Sequence, residues 1–354
     1  MRWDSLRTNG PAGPRPGPPV LFEQGAVTRT FDTPAFRGMT FFEIQARSII
    51  NRVPDASRLP FRWTINPYRG CSHSCLYCFA RKSHTYLDFD AGHDFDSKIV
   101  VKINAPELAR KELAAPRWRG DHIAMGTNVD CYQRAEGRYR LMPGILTALR
   151  DAANPFSILT KGTLILRDID LLTEAAEITD VGLAVSVGCI DEDLWRTLES
   201  GTPNPGRRLE VCAAFSDRGL GCAVLMGPIV PFLSDSPAQL AATVRQAAQA
   251  GASSVSPIVL HLRPGAREWF FSWLGQHHPD LVPRYRGLYG RGAYAPKYYQ
   301  QRVSEQVREL ARQYRVGQGH RGSQRGGRAA VRRGGAGAPA HGPAAMQPTQ
   351  LTLL

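Results

Sequence analysis

Lysine is scarce in this chain: only six of its 44 basic residues are lysine, and the rest are arginine. The net charge of +13 therefore rests on arginine. Genomic base composition can produce that skew, so charge alone points only loosely to an anionic partner. Apolar runs of about 18 residues are absent, so no membrane-spanning helix is expected. The start is rich in proline, glycine and arginine and has no apolar h-region, so it does not read as a signal peptide. Cysteines number seven in 354 residues, sparse and odd, which argues against a disulfide framework. Acidic residues are missing from 316 to 345, where Arg321, Arg325, Arg328, Arg332 and Arg333 stand together. These absences leave the cytoplasm as the default compartment.

What is present supports one large globular unit. A hydrophobic content of 43% over this length can fill the core of an α/β domain. Residues 1–35 read as a disordered extension, 36–315 as the core domain, and 316–354 as a Gly/Arg-rich disordered tail. Within the core, short apolar runs alternate with helical patterns. Arg62–Ile65, His122–Met125, Phe156–Leu159, Val181–Val187, Cys222–Met226 and Ser254–Leu260 read as buried strands. Helical stretches lie near 106–115, 141–153, 168–178, 207–218, 236–250 and 266–275. Asp168 and Ser236 are expected N-caps. Gly219 and Gly251 are expected to follow helix ends in the left-handed conformation. About six β–α units with buried strands imply a parallel sheet too short for a full barrel. The expected fold class is α/β, a partial (β/α)6 TIM-type barrel.

Chemistry in such barrels collects at the C-terminal ends of the strands. The first strand runs into Cys71, Cys75 and Cys78, a C-x3-C-x2-C spacing. Three thiolates can hold three irons of a four-iron cluster and leave the fourth open, whereas four-cysteine clusters mainly move electrons. A zinc site drawing on His73 or His84 is the alternative, although both histidines read better as polar loop residues. Cys189, Cys212 and Cys222 read as small buried apolar residues. Later strands end in Gly126-Thr127-Asn128, in Lys161, in Ser186, in Gly227-Pro228 and in His261. A lysine at the end of a buried strand needs an acceptor, which a ligand carboxylate would supply; the alternative is a salt bridge or an exposed loop position. Ser186 reads either as a ligand contact or as a locally satisfied core hydroxyl.

The cysteine spacing, with Tyr77 before the last cysteine, resembles the radical S-adenosylmethionine (SAM) superfamily. Asn66-Pro-Tyr-Arg-Gly-Cys71, Gly126-Thr-Asn128, Leu159-Thr-Lys161, Ser186, Glu199-Ser-Gly-Thr-Pro and Arg208-Leu209 narrow the resemblance to its spore photoproduct lyase-like branch. The whole pattern is similar to actinobacterial members of undefined substrate, some of which carry inteins. The resemblance implies a radical SAM enzyme with a [4Fe–4S] cluster on Cys71, Cys75 and Cys78. SAM would be cleaved to a 5′-deoxyadenosyl radical that takes hydrogen from a substrate. It also implies an electron donor such as flavodoxin or ferredoxin. Tyr77 is expected against the adenine, Thr127 and Asn128 near the SAM amino group, Lys161 at the carboxylate, and Ser186 at the carboxylate or ribose. The frequent Gly-Gly-Glu form at the second strand is absent. Gly126 occupies the place where photoproduct lyases have their hydrogen-donating cysteine, so lyase activity is not carried over. Cys131 and Tyr86 are the candidate catalytic residues on the substrate side. A nucleic acid is the candidate partner, on charge. The alternative is a non-catalytic iron–sulfur or zinc protein that binds nucleic acid.

Overall fold

The computed structural model describes residues 25–55 and 59–318. The expectations placed on residues 1–24 and 319–354, including most of the Gly/Arg-rich tail, lie outside the described residues. In chain order the strands are β1 (Val27–Arg29), β2 (Thr40–Ile44), β3 (Ile50–Arg52), β4 (Trp63–Ile65), β5 (Tyr68–Arg69), β6 (Lys98–Lys102), β7 (Ile123–Met125), β8 (Phe156–Thr160), β9 (Val181–Ser186), β10 (Cys222–Ile229) and β11 (Ser254–Val259).

The main sheet has the order β11-β10-β9-β8-β7-β4-β3. From β4 to β11 every pairing in it is parallel, and only β3 at the edge runs antiparallel. The strands that form this parallel core are those read from apolar runs, and they follow one another in chain order. Ile123, Met125, Ile158, Val185, Val224 and Met226 are almost fully buried. Each such side chain contributes about 1.5–3 kcal/mol relative to exposure. Helices Leu141–Asp151, Ile169–Ile178, Pro205–Asp217 and Pro237–Gln249 connect the strands and place all their C-terminal ends at one rim. The fold is the expected partial (β/α)6 barrel.

Three features differ from the sequence expectation or escaped it. A second sheet, β1-β2-β6-β5, flanks the barrel. Its first strand pairs with β2 from Val27 onward, and Phe31 packs on Phe41 at 5.3 Å. Residues 25–35 therefore belong to the folded unit and not to an extension, because their aromatic side chains have an apolar face to cover. Helix Lys297–Gln313 was hidden by its charges; Tyr299, Val303 and Val307 form its buried stripe at four-residue spacing. Asp168 precedes a helix but does not cap it. Its oxygens accept from the Tyr132 hydroxyl at 3.0 Å and Arg167 Nε at 2.8 Å, and the chain enters the helix already wound as a 3-10 turn. Ser236 does cap, accepting from Gln239 N–H at 3.2 Å. Gly219 and Gly251 have φ of +74° and +72°, as helix ends of this kind need.

Candidate functional site

The second sheet matters because β5 delivers the chain into the cysteine loop. Gln133, wholly buried, clamps that loop: Ser72 N–H donates to its Oε1 and its Nε2 donates to Gly70 O, both at 2.9 Å. Segment 198–202 supports the loop from below, with Leu76 N–H donating to Leu198 O at 3.0 Å. A Cβ on Gly201 would lie 2.3 Å from Ser72 O, so this approach requires glycine. The fully buried Arg81 ties the far side, donating to Cys75 O at 3.1 Å and pairing with Asp96 at 2.9 Å.

Held this way, Cys71, Cys75 and Cys78 line one cavity as free thiols. Burial raises all three, Cys75 to about 12, and the neighbouring thiols raise Cys71 and Cys75 further. Metal binding would release these protons, because the thiolate is the ligand.

The opposite wall of the cavity is a charge network. Lys161, at the end of β8, donates to Ser186 Oγ at 2.5 Å and Gly227 O at 3.3 Å, and stands 3.5 Å from Glu199 Oε1. The same Glu199 carboxylate accepts from the Tyr77 hydroxyl and from Arg208. Arg208 is 1% exposed and also donates to Ser186 O at 3.0 Å and Pro203 O at 2.8 Å. Burial would push the Glu199 carboxyl up, but Arg208, Lys161 and Tyr77 together hold it at about 2. Tyr77 itself is raised well above its ordinary value, first by burial and then by Glu199. Lys161 Nζ lies 6.0 Å from the Tyr77 ring centroid. The cavity thus presents an ammonium beside an aromatic ring, with three thiols nearby.

Asp130 anchors the loop after β7. Burial opposes its charge, yet the His73 ring, Lys161 N–H and Thr160 Oγ1 hold it at about 2. His73 Nδ1 is 3.3 Å away, and both of the other donors are at 2.7 Å. Sequence reasoning gave no role to Asp130, Glu199 or Arg208. Little in the sequence marked Glu199 and Arg208: one directly follows the helix Glu192–Leu198 and the other lies on the helix Pro205–Asp217, in a polar stretch with no local sign of burial.

The structure brings most of the candidate residues together. Tyr77, Thr127, Asn128, Lys161 and Ser186 line the same cavity as the three cysteines, and so does Ile258. Gly126 has φ +76°, and a Cβ there would lie 1.8 Å from Leu159 O, so no side chain fits at that position. Two candidates, Cys131 and Tyr86, are not among the residues that line this cavity. Cys131 is 1% exposed, is packed into the core, and does not line the cavity. Tyr86 lies 62% exposed on the 3-10 helix Phe79–Leu87, also outside the cavity lining. His84 bonds through Nε2 to Lys98 O at 2.8 Å and is not part of the cavity wall.

Residues 65–245, half the chain, match the radical SAM superfamily. The chain belongs to the radical SAM superfamily. An uncharacterised protein of Mycobacterium tuberculosis is 48% identical over 323 residues, covering 91% of this chain and 95% of the relative. One from Methanocaldococcus jannaschii is 29% identical over 195 residues, covering 54% of this chain and 69% of that protein. Among solved structures, spore photoproduct lyase complexed with dinucleoside spore photoproduct superposes with a TM-score of 0.56. That match is 14% identical and covers 78% of this chain and 80% of the other, a likeness of fold.

Radical SAM membership implies SAM and an iron–sulfur cluster. The donor set fits: three free thiols, none engaged in a disulfide, line one cavity together with Lys161 and Tyr77. Among the described residues no three His, Cys, Asp or Glu side chains converge as on a single ion. Cluster cysteines bind separate irons and need no such convergence. Among the described residues no helix is long and apolar enough to cross a membrane.

Proposed function

We propose that this protein is an enzyme that carries a [4Fe–4S] cluster on Cys71, Cys75 and Cys78, binds SAM beside it, and abstracts hydrogen from a substrate. When bound, the cluster supplies the electron that splits SAM into methionine and a 5′-deoxyadenosyl radical. The observation that carries the reading is the shared cavity of the three thiols and Lys161, in a chain of this family.

The chain's own residues bind and orient. Lys161 offers its ammonium to the SAM carboxylate and exchanges a neutral acceptor, Ser186 Oγ or Gly227 O, for an anion. Ser186 stays within reach of the same carboxylate or of the ribose. Glu199, itself held by Arg208, keeps the lysine positioned. Tyr77 packs against the adenine, with its hydroxyl fixed by Glu199. Thr127 and Asn128 face the amino group. Leu159, Leu225, Ile258 and Leu260 keep the cavity wall apolar and exclude water from the radical.

A low-potential carrier of the flavodoxin or ferredoxin kind provides the electron. A nucleic acid is the candidate macromolecular substrate, supported by the net charge of +13. If so, affinity falls steeply with salt as phosphate contacts release counterions. Thymine-dimer lyase activity is not part of the proposal, because Gly126 admits no side chain.

Anaerobic reconstitution followed by electron paramagnetic resonance tests the reading. It predicts about four irons per chain and a reduced-cluster signal that SAM alters. A signal indifferent to SAM, or a bound zinc in its place, would overturn it.

A further inference from the structure

The six parallel strands leave the barrel open between β11 on one side and β4, edged by β3, on the other. Four side chains meet near that opening, and none has a part in the function proposed above. Phe79, the residue after Cys78, faces His261 just beyond β11 with ring centroids 5.7 Å apart. His261 packs on Tyr294 at 5.5 Å and pairs with it through an isolated β-bridge. The Arg263 guanidinium lies 5.8 Å from the Phe79 ring and donates to the Tyr294 hydroxyl at 3.0 Å. Phe79 and His261 line the cavity.

Two of these groups have unused capacity. His261 is 8% exposed, and its Nδ1 is sealed from solvent without a hydrogen-bond partner. The ring itself lines the cavity. Burial, then Arg263, hold the ring at about 4, so it is neutral at physiological pH. Arg263 is partly buried, and burial lowers its basicity; among the described residues no carboxylate offsets that. A guanidinium has five N–H donors, and Tyr294 takes one of them. A cation drawn partly out of water gains most from an oxyanion that presents two acceptors.

We propose that this cluster is the substrate subsite: an oxyanion binds Arg263, an attached flat unsaturated ring packs on Phe79 and His261, and a donor on the substrate meets the His261 imidazole. The proposal rests on the reading of the cavity as a radical SAM site, since the substrate must lie beside SAM. A ring within about 4.5–7 Å of these aromatics gains contact beyond area alone. A bare anion lacks that gain, and a neutral ring lacks the charge.

Ligand-observed NMR titrations on the purified full chain test it, with phenyl phosphate, benzoate, phenol and inorganic phosphate as probes. Phenyl phosphate or benzoate should bind about tenfold tighter than both phenol and inorganic phosphate. Whichever binds better tells whether the oxyanion is phosphoryl or carboxylate. Arg263→Gln should lose that advantage about tenfold, Arg263→Lys should recover part of it, and His261→Phe should weaken only probes that carry a donor. SAM affinity should stay at the wild-type value in all three. Probes that bind no tighter than inorganic phosphate, or binding indifferent to Arg263→Gln, would overturn the proposal. An equal loss of SAM affinity in the variants would also overturn it, by placing the cluster in the cofactor site, and would leave the proposed function standing. Wild-type protein that fails to bind SAM counts instead against the proposed function.

Discussion

Replacing Glu199 by glutamine tests the electrostatic frame of the cavity. Folding takes this carboxyl from its ordinary 4.5 to about 2, which corresponds to about 3 kcal/mol of stability. Because the folded value is depressed, that contribution is complete above pH 4.5 and disappears as the pH falls toward 2. The glutamine keeps the shape but leaves Arg208, 1% exposed, without its counter-charge. Breaking one side of a buried pair costs about 3–5 kcal/mol, which agrees with the first figure. Urea denaturation of wild type and Glu199→Gln at pH 7 should therefore differ by about that amount. Below pH 4.5 the difference should shrink by about 1.4 kcal/mol per pH unit, as the unfolded wild type takes up a proton that the folded carboxylate does not. A gap under about 1 kcal/mol at neutral pH, or one that stays constant into acid, would refute the reasoning.

Three further outcomes follow from the same cavity. Lys161→Ala should lower SAM affinity about tenfold to a hundredfold while iron content is kept; equal loss of iron would assign the lysine to folding. Cys131→Ala should leave the rate of SAM cleavage unchanged, since this thiol lies behind the cavity wall; collapse of cleavage with a normal cluster would place it in the chemistry. Gly126→Ala must put a Cβ 1.8 Å from Leu159 O at φ +76°, so thermal unfolding should fall by several degrees or the variant should fail to accumulate; an unchanged melting temperature would show that the loop after β7 can move aside.

The parallel core was legible because buried strands such as Val181–Ser186 carry continuous apolar runs between turn residues. Lys98–Lys102 shows a similar run, but it pairs with β2 and β5 from distant parts of the chain, and no local pattern announces a second sheet. The three cysteines, Tyr77, Lys161 and Ser186 were legible from their positions at strand ends and from the family resemblance. Glu199 and Arg208 were not assigned, because a buried ion pair is a relation between two side chains that only the fold brings together. Tyr86 and Cys131 fall outside the cavity lining, since closeness in sequence to the cysteine loop and to Gly126 does not fix the direction a side chain takes.

The most direct test of the central claim is the formation of 5′-deoxyadenosine by the anaerobically reconstituted, reduced protein in the presence of SAM. The account predicts its formation by the wild type and its loss in Cys75→Ala. Full iron loading without 5′-deoxyadenosine under several reductants, or undiminished formation in Cys75→Ala, would contradict it.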